Sequence, residues 1–586
     1  MKYIKNKSVL VLSSVFILGI LISSCEDFLD KNPVKELTPS EYYQNEDDAN
    51  AAVRGIYGKL AYLAPKILIL NELSADLMDV TQNADEYYKQ INRHEADINN
   101  PYVDATEFYE LINNCNDALY NFNIMRKELR ITEDAYLQRY SDIAALRSWL
   151  YLNVVVLYGK VPYITEPLNS VDDINKVSDT MNYPYLDVND MVDSLYNFMG
   201  TITFYDKYTD ENLTTDVAGH NADLYYISKY ILMGDLCLWK GDYYNAAMLY
   251  KFVMNDYGFG DLFKYKVGVW AYKDMYYQSG YERYYENDIH SEINTWPDMF
   301  SSMSSSNNYF LNEWIWVIFY DDIYEPYNPF FDYFSNTIGN YYFKPSTPIM
   351  NEWKVQERHN SFIGDFRGED GSYKIINGEP VITKLISMYD ELNPNNRQGK
   401  WGISRATGVH LRYAEATNRY ALSQNPDSAY IYPKIAFSLV NNGVYQTFHN
   451  PDTTNLALDG FTPFNDYAFY MDGRAIDVPY TVRGLFCRNG GIRGRVYLKD
   501  KSSFVDSIAK VTDINELVTN MEDDIIDEAA LELAYEGNRW HDLVRIALRR
   551  DDPLFLATKV AAKFGADSAA VCDRLKIKEN WFLPFK

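Results

Sequence analysis

The sequence predicts a mainly α protein in which a scaffold of helical hairpins carries one long loop-rich, aromatic-rich insertion. Three observations predict it: helical periodicity at both ends of the chain, a helix-turn-helix pattern within Ala222 to Met254, and a middle stretch dense in aromatic residues but without helical period. The 586 residues are 47% hydrophobic and 23% charged, which excludes a disordered chain and a polytopic membrane protein. With 82 acidic and 55 basic residues the net charge is −27, which repels phosphate backbones and anionic lipid, so nuclease and DNA-binding functions drop out. Tyrosine is in excess, at 53 against 29 glycines.

Read from the N-terminus, Lys2, Lys5 and Lys7 precede an uncharged run from Val9 to Ile22, then Ser23, Ser24 and Cys25. The run of 14 residues is shorter than the roughly 20 a spanning helix needs, so residues 1–24 read as a signal peptide. Cys25 after two small residues resembles a bacterial lipoprotein box, and acylation there would anchor the chain without spanning the bilayer. Removing residues 1–24 takes three lysines and no acid, leaving a net charge of −30. Four cysteines remain, Cys115, Cys237, Cys487 and Cys572, too few for a disulfide framework and read as small core residues.

Helices are expected at about 46 to 60 and 104 to 126, and then where Ile143, Leu146, Leu150, Val154 and Leu157 share one face and stop at Gly159 with Pro162 beyond. Ala222 to Met254 reads as two helices joined at Trp239-Lys240-Gly241-Asp242-Tyr243, a hairpin of the tetratricopeptide type, with Ala246 and Ala247 where the helices approach closely. From Phe263 to Trp353, 27 of 91 residues are aromatic, about 30% against 16% for the chain. Asn312 to Phe319 reads as one buried strand and most of the rest as long loops, which in a compact protein are usually functional. Helices resume at about 409 to 421 and 521 to 548. The whole reads as one domain over 25–586: a helical scaffold at about 45–256 and 405–550 and a ligand face at about 257–404.

Catalytic signals are weak. His94-Glu95-Ala96-Asp97-Ile98 begins like a zincin motif but lacks the second histidine four residues on, and Gly258-Phe259-Gly260 lacks a third glycine. No nucleophile elbow, phosphate loop or calcium loop occurs, and no pattern calls for a metal or a cofactor. Acidic pairs at helical spacing, such as Glu532 and Glu536, arise by chance in so acidic a chain, and a glycosidase needs two carboxylates across a cleft. A basic island, Arg474, Arg483, Arg488, Arg493, Arg495, Lys499 and Lys501, reads as structural ion pairs with the surplus carboxylates, the alternative being a docking patch for an acidic partner.

Two stretches resemble the SusD/RagB-like outer-membrane lipoproteins of Bacteroidetes. Leu146-Arg147-Ser148-Trp149-Leu150-Tyr151-Leu152-Asn153, running on through Leu157-Tyr158-Gly159-Lys160-Val161-Pro162-Tyr163-Ile164-Thr165-Glu166-Pro167, is similar to the family's helix ending in LYGxVPLITEP. The run from Glu528 to Arg545, with Leu533-Ala534-Tyr535-Glu536-Gly537-Asn538-Arg539-Trp540, is similar to its C-terminal ELAFEGHRW motif, though Asn538 stands where histidine is frequent. In this motif Glu532, Glu536, Arg539 and Arg545 fit a buried ion-pair network. Glu26, Asp27 and Asp30 resemble the family's acidic surface-export signal.

The resemblance implies an α superhelix anchored by lipid at Cys25 to the outer face of the outer membrane and exposed at the cell surface. It implies no chemistry and no cofactor: such a protein captures oligosaccharide or polysaccharide and delivers it to a TonB-dependent transporter of the SusC type. A peptide-binding member of the same family is one alternative, and a surface glycoside hydrolase another. The family builds its site from an early interhelix loop and from loops after the central strand. Here those regions hold Asn83, Tyr87, Tyr88 and Tyr102, and then Tyr324, Tyr327, Tyr341, Tyr342 and Trp353, with Tyr276 and Tyr277 in a further tyrosine-rich loop. Aromatic rings suit a ligand with flat apolar faces edged by hydroxyls, because they give large contact area with little rotamer entropy to lose.

Overall fold

The computed structural model describes residues 42–170, 172–173, 177, 183–205, 207–217, 219–254, 298–301, 313–321, 325–358, 361–388, 396–425, 429–441, 468–469, 491–496 and 498–585. The expected lipidation site Cys25, the tyrosines 276, 277 and 324, and Arg474, Arg483 and Arg488 of the basic island lie outside them.

The architecture is mainly α. Helix α1 (Glu46–Ser74) starts in a capping box, Asn45 accepting from the Asp47 and Asp48 amides while the Asp48 carboxylate accepts from the Asn45 amide. Its inner stripe, Val53, Ile56, Leu60, Leu63, Ile67 and Leu70, is buried against helices α3 (Thr106–Lys127) and α4 (Glu133–Tyr158). The helix runs 14 residues past the expected end at 60, because the apolar stripe continues through Pro65. Between α1 and α3 lie strand β1 (Met78–Val80) and the short helix α2 (Glu86–Asn92).

Helix α4 is the central rod. From Ser141 to Tyr158 every residue but Trp149 is buried, so it is surrounded rather than amphipathic. It stops where expected, at Gly159, whose φ is +76° and where a Cβ would stand 2.5 Å from the Phe582 ring. Strand β2 (Lys160–Pro162) follows and pairs with β3 (Tyr185–Asp187), which leads into helix α5 (Val188–Gly200).

The expected hairpin is helices α6 (Lys229–Lys240) and α7 (Tyr243–Met254), joined through Gly241 in the left-handed region. Ala246 and Ala247 are fully buried, and Gly234 completes the close approach, since a Cβ there would meet the Tyr250 ring at 2.7 Å. Residues Ala222–Tyr225 form a separate 3-10 turn, because Ser228 caps α6 afresh.

The insertion contains more regular structure than loops alone. Strand β4 (Trp314–Tyr320) is buried as expected and finds its partner in β8 (Gly399–Arg405). Between them lie helix α8 (Phe330–Phe334), strand β5 (Phe343–Pro345), helix α9 (Thr347–Val355) and the hairpin β6 (Tyr373–Ile376) and β7 (Glu379–Ile382). Helices α10 (Ala406–Tyr420), α11 (Ile431–Val440), α12 (Ser502–Lys510) and α13 (Ile514–Leu533) then pack with α7 into a second core. The run expected at 521–548 is two helices, α13 and α14 (Arg539–Arg550), broken at Ala534–Asn538 by Tyr535 and Gly537 at positive φ. Helix α15 (Pro553–Ala561) packs against α14, and α16 (Ser568–Leu575) packs against α15. Among the described residues no helix is long and apolar enough to cross a membrane.

The two cores meet across a buried charge network. The fully buried Arg405 guanidinium donates to Glu313 at 2.7 Å, to the Glu532 carboxylate and carbonyl at 2.8 Å each, and to both Glu536 oxygens at 2.8 and 3.0 Å. Arg367 pairs with Asp365, Glu528 and Glu532, Arg493 with Glu528, and Lys384 with Glu536. Arg545 holds Glu415 and Asp542, and Arg539 holds Asp76. The ion-pair reading of the C-terminal motif, and of Arg493, Lys499 and Lys501 in the basic island, is thus what the structure contains: Lys499 pairs with Glu357 and Lys501 with Asp524. Burial by itself would lower the Arg405 pKa, but the Glu536, Glu532 and Glu313 carboxylates outweigh it and hold the group well above its ordinary value.

Beside this network Glu72 is fully buried; one oxygen accepts the Gly537 amide at 2.6 Å and Oε2 has no hydrogen-bond partner. Burial pushes its carboxyl up to about 7. Two outcomes are expected. Arg405→Met strands three buried carboxylates and lowers unfolding free energy by about 3–5 kcal/mol in urea titration. Because the folded Glu72 holds its proton to higher pH than the unfolded one, its contribution to stability falls as pH rises from about 4.5 to about 7. Glu72→Gln therefore matches the wild type near pH 4 and exceeds it above pH 7 by up to about 3 kcal/mol, at 1.36 kcal/mol per pKa unit.

Candidate functional site

Two segments some 250 residues apart in sequence are brought into register by a two-stranded sheet. Strand β1 pairs antiparallel with β5, Met78 opposite Pro345 and Val80 opposite Phe343. The pairing runs on as the Thr81 amide donates to the Tyr342 carbonyl at 2.8 Å and the Thr81 hydroxyl donates to the Tyr341 carbonyl. The Asn83 amide group then donates to the Asn340 carbonyl at 3.0 Å. This places the expected residues of the early loop beside those of the insertion.

Asp85 organises the aromatic side chains. It caps α2 by accepting the Tyr88 amide at 3.0 Å, and its other oxygen accepts the Tyr102 hydroxyl at 2.7 Å. Asn100 adds a second brace, donating to the Tyr87 carbonyl at 2.9 Å and accepting the Tyr102 amide at 3.0 Å. Tyr88 and Tyr102 consequently stack, with centroids 4.0 Å apart and planes 10° from parallel, and Tyr87 meets Tyr102 edge-on at 6.2 Å. Behind them Tyr88 packs on Phe343 at 4.9 Å and Tyr342 at 5.8 Å, and Tyr333 packs on Phe343. Burial and the hydrogen bond to Asp85 push the Tyr102 hydroxyl up to about 12, so it stays a donor across the physiological range.

The expected residues divide by exposure. Asn83 and Tyr87 face solvent and Tyr102 and Tyr342 are half-buried, so these form the accessible patch. Tyr88 and Tyr341 are buried beneath it, and the Tyr341 hydroxyl is committed to the Pro380 carbonyl at 2.8 Å. Tyr327 is exposed on a separate loop. Trp353 has to be withdrawn from the surface: it is 1% exposed, donates its indole N–H to the Leu531 carbonyl at 3.1 Å, and packs on Tyr373 and Tyr535. Tyr333, Phe343, Asp85 and Asn100 were not singled out by sequence. The Asp85 cap just before an apolar helical turn was the one readable signal among them.

The arrangement offers ring faces and edges with hydroxyl and amide groups around them. Both Asp85 oxygens are occupied by donors within the protein, and Glu532 and Glu536 lie in the buried network rather than across a cleft. His94 is also structural, its Nε2 lying 3.0 Å from the Ser74 carbonyl. Burial, with Lys563 and Arg574 nearby, takes its pKa down to about 4.

No family model matches the chain. It is 25% identical over 170 residues to SusD-like protein P2 of Formosa agariphila, 28% of this chain and 33% of that protein. It is 25% identical over 157 residues to SusD-like protein P25 of the same organism, 25% of this chain and 29% of that one. The matched stretch thus spans about a third of the length of these relatives. Solved structures share the fold along most of the chain. A SusD superfamily protein of Bacteroides vulgatus superposes with a TM-score of 0.52 at 12% identity over 92% of both chains. A SusD-like carbohydrate-binding protein of Bacteroides fragilis gives 0.52 at 13% over 88% of both, and a laminarin-binding SusD-like protein gives 0.51 at 15% over 92% of this chain and 96% of that one.

Proposed function

From the likeness to SusD-like proteins in sequence and fold we propose that the chain is a member of that family, a lipid-anchored protein of the outer-membrane surface that captures oligosaccharide or polysaccharide and delivers it to a TonB-dependent transporter of the SusC type. The observation that carries the binding part is the Tyr88–Tyr102 stack, with Tyr87 and Tyr342 beside it, assembled on one surface from two distant segments. Stacked tyrosines hold one another's planes, so little side-chain entropy remains to be lost when a sugar ring lies against them. The hydroxyls of Tyr87, Tyr102 and Tyr342 and the Asn83 amide supply the polar rim that an uncharged polyol requires.

Two relatives in fold are described as carbohydrate-binding and laminarin-binding, which supports a glycan over a peptide. Among the described residues of the patch, both oxygens of Asp85 accept hydrogen bonds from within the protein, which supports capture over hydrolysis. Lipid attachment at Cys25 and residues Tyr276, Tyr277 and Tyr324 complete the proposal from the sequence alone.

Affinity electrophoresis and calorimetry across a polysaccharide panel that includes laminarin are expected to find at least one ligand, with Tyr102→Ala weakening it about tenfold, the scale of one lost aromatic contact. Binding of peptides with no polysaccharide bound, or hydrolysis by the purified protein, overturns this reading. Solubilised outer membrane is expected to yield a barrel transporter co-purifying with the tagged protein; its absence refutes the delivery step.

A further inference from the structure

The Tyr102 hydroxyl is held in one direction. It donates to Asp85 Oδ2 at 2.7 Å, and Asp85 is itself fixed because Oδ1 accepts the Tyr88 amide at 3.0 Å as the cap of α2. A hydroxyl free to rotate donates or accepts as its partner requires, but a carboxylate only accepts. The phenolic hydrogen therefore points at Asp85, and the Tyr102 oxygen is left to accept from whatever else approaches it. The neighbouring Tyr88 hydroxyl and a bound ligand both meet lone pairs there.

Other donors beside the patch are turned into the protein in the same way. The Asn100 amide group donates to the Tyr87 carbonyl at 2.9 Å and to the Gln90 side-chain oxygen at 3.2 Å. Asn83 donates to the Asn340 carbonyl at 3.0 Å, and the Thr81 hydroxyl donates to the Tyr341 carbonyl. Asp85 is exposed and Tyr102 half-buried, so a carboxylate and an accepting phenolic oxygen stand side by side at the surface, at the edge of the ring stack.

We infer that Asp85 is a specificity-determining residue: it makes this corner of the patch an acceptor, so that the protein takes glycans presenting a free hydroxyl there and rejects those presenting a uronate, a sulfate or a methyl ether. The inference rests on the glycan-binding reading above. A sugar hydroxyl can donate to Tyr102 or to Asp85. A carboxylate, a sulfate and an ether oxygen have no hydrogen to give, and the two anions also meet the like charge of Asp85.

The test is calorimetry with a polysaccharide of the panel that binds, its O-methylated form and its carboxymethylated form. Wild type is expected to bind both derivatives about tenfold more weakly than the parent, the scale of one lost hydrogen bond that leaves its acceptor unpaired. Asp85→Asn retains the cap, its oxygen accepting the Tyr88 amide, and places an N–H group where Oδ2 stood. That group donates to the Tyr102 oxygen and turns the phenolic hydrogen toward the ligand, so the O-methylated form is expected to come within about twofold of the parent. Tyr102→Phe keeps the ring and is expected to weaken the parent about fivefold while leaving the O-methylated form within about twofold of its wild-type affinity. Both changes lie at the surface, so unchanged thermal melting is expected and checked alongside. Equal wild-type affinity for parent and derivatives, or a tenfold gap that persists in both variants as added bulk alone would produce, overturns the specificity role while leaving glycan binding intact. A wild type that binds no member of the panel refutes the glycan reading itself.

Discussion

The junction between the insertion and the C-terminal helices hangs on the burial of Arg405. Its guanidinium is shared by Glu313 from the residue before β4, Glu532 from α13 and Glu536 from the turn after it, so one cation joins the insertion to the C-terminal helices. Charges placed in a low-dielectric interior are costly unless paired, which leaves the network few acceptable arrangements. Glu528 and Glu532 stand one helical turn apart and Glu536 a further four residues on, beyond the end of the helix. The helix break at Ala534–Asn538 is therefore part of the network: it carries Glu536 and the Gly537 amide to their partners.

The same buried charges fix the base of the candidate site. Gly537 reaches Glu72 near the end of α1, Arg539 grips Asp76, and Lys563 donates to the carbonyls of Leu73, Ala75 and Met78 at 2.8, 2.6 and 3.2 Å. The chain from Leu73 to Met78 is thus pinned from one side before it enters β1. Strand β5 pins it from the other. The Tyr88–Tyr102 stack, carried by α2 and the 3-10 turn Pro101–Val103, thus grows out of a rigid support, and a rigid support is what keeps the entropy cost of binding low.

The tyrosine excess resolves into two populations. Many tyrosines are structural, with the hydroxyl satisfied inside the fold: Tyr151 donates to the Ile164 carbonyl at 2.6 Å and Tyr250 to Asp235 at 2.6 Å. Among the described residues a smaller set, Tyr62, Tyr87 and Tyr327 included, reaches solvent. Composition does not separate the two, since a phenol suits a buried hydrogen bond as well as a wet surface.

By itself the sequence determined the mainly α class, the end of α4 at Gly159, the α6–α7 hairpin, the buried strand β4 and the ionic character of the C-terminal motif. Each of these is local: a period, a cap, a glycine, or charges spaced along one helix. Tertiary structure decided which strand pairs with β4, where the 521–548 run breaks, that α1 continues past Pro65, and that Trp353 belongs to the core. It also decided that Asn83, Tyr87 and Tyr102 meet Tyr342 and Tyr333, with Asp85 and Asn100 as braces. Those outcomes depend on pairings between residues hundreds of positions apart, such as Thr81 with Tyr342, and no local pattern encodes the partner of a hydrogen bond that only the folded chain brings within 3 Å.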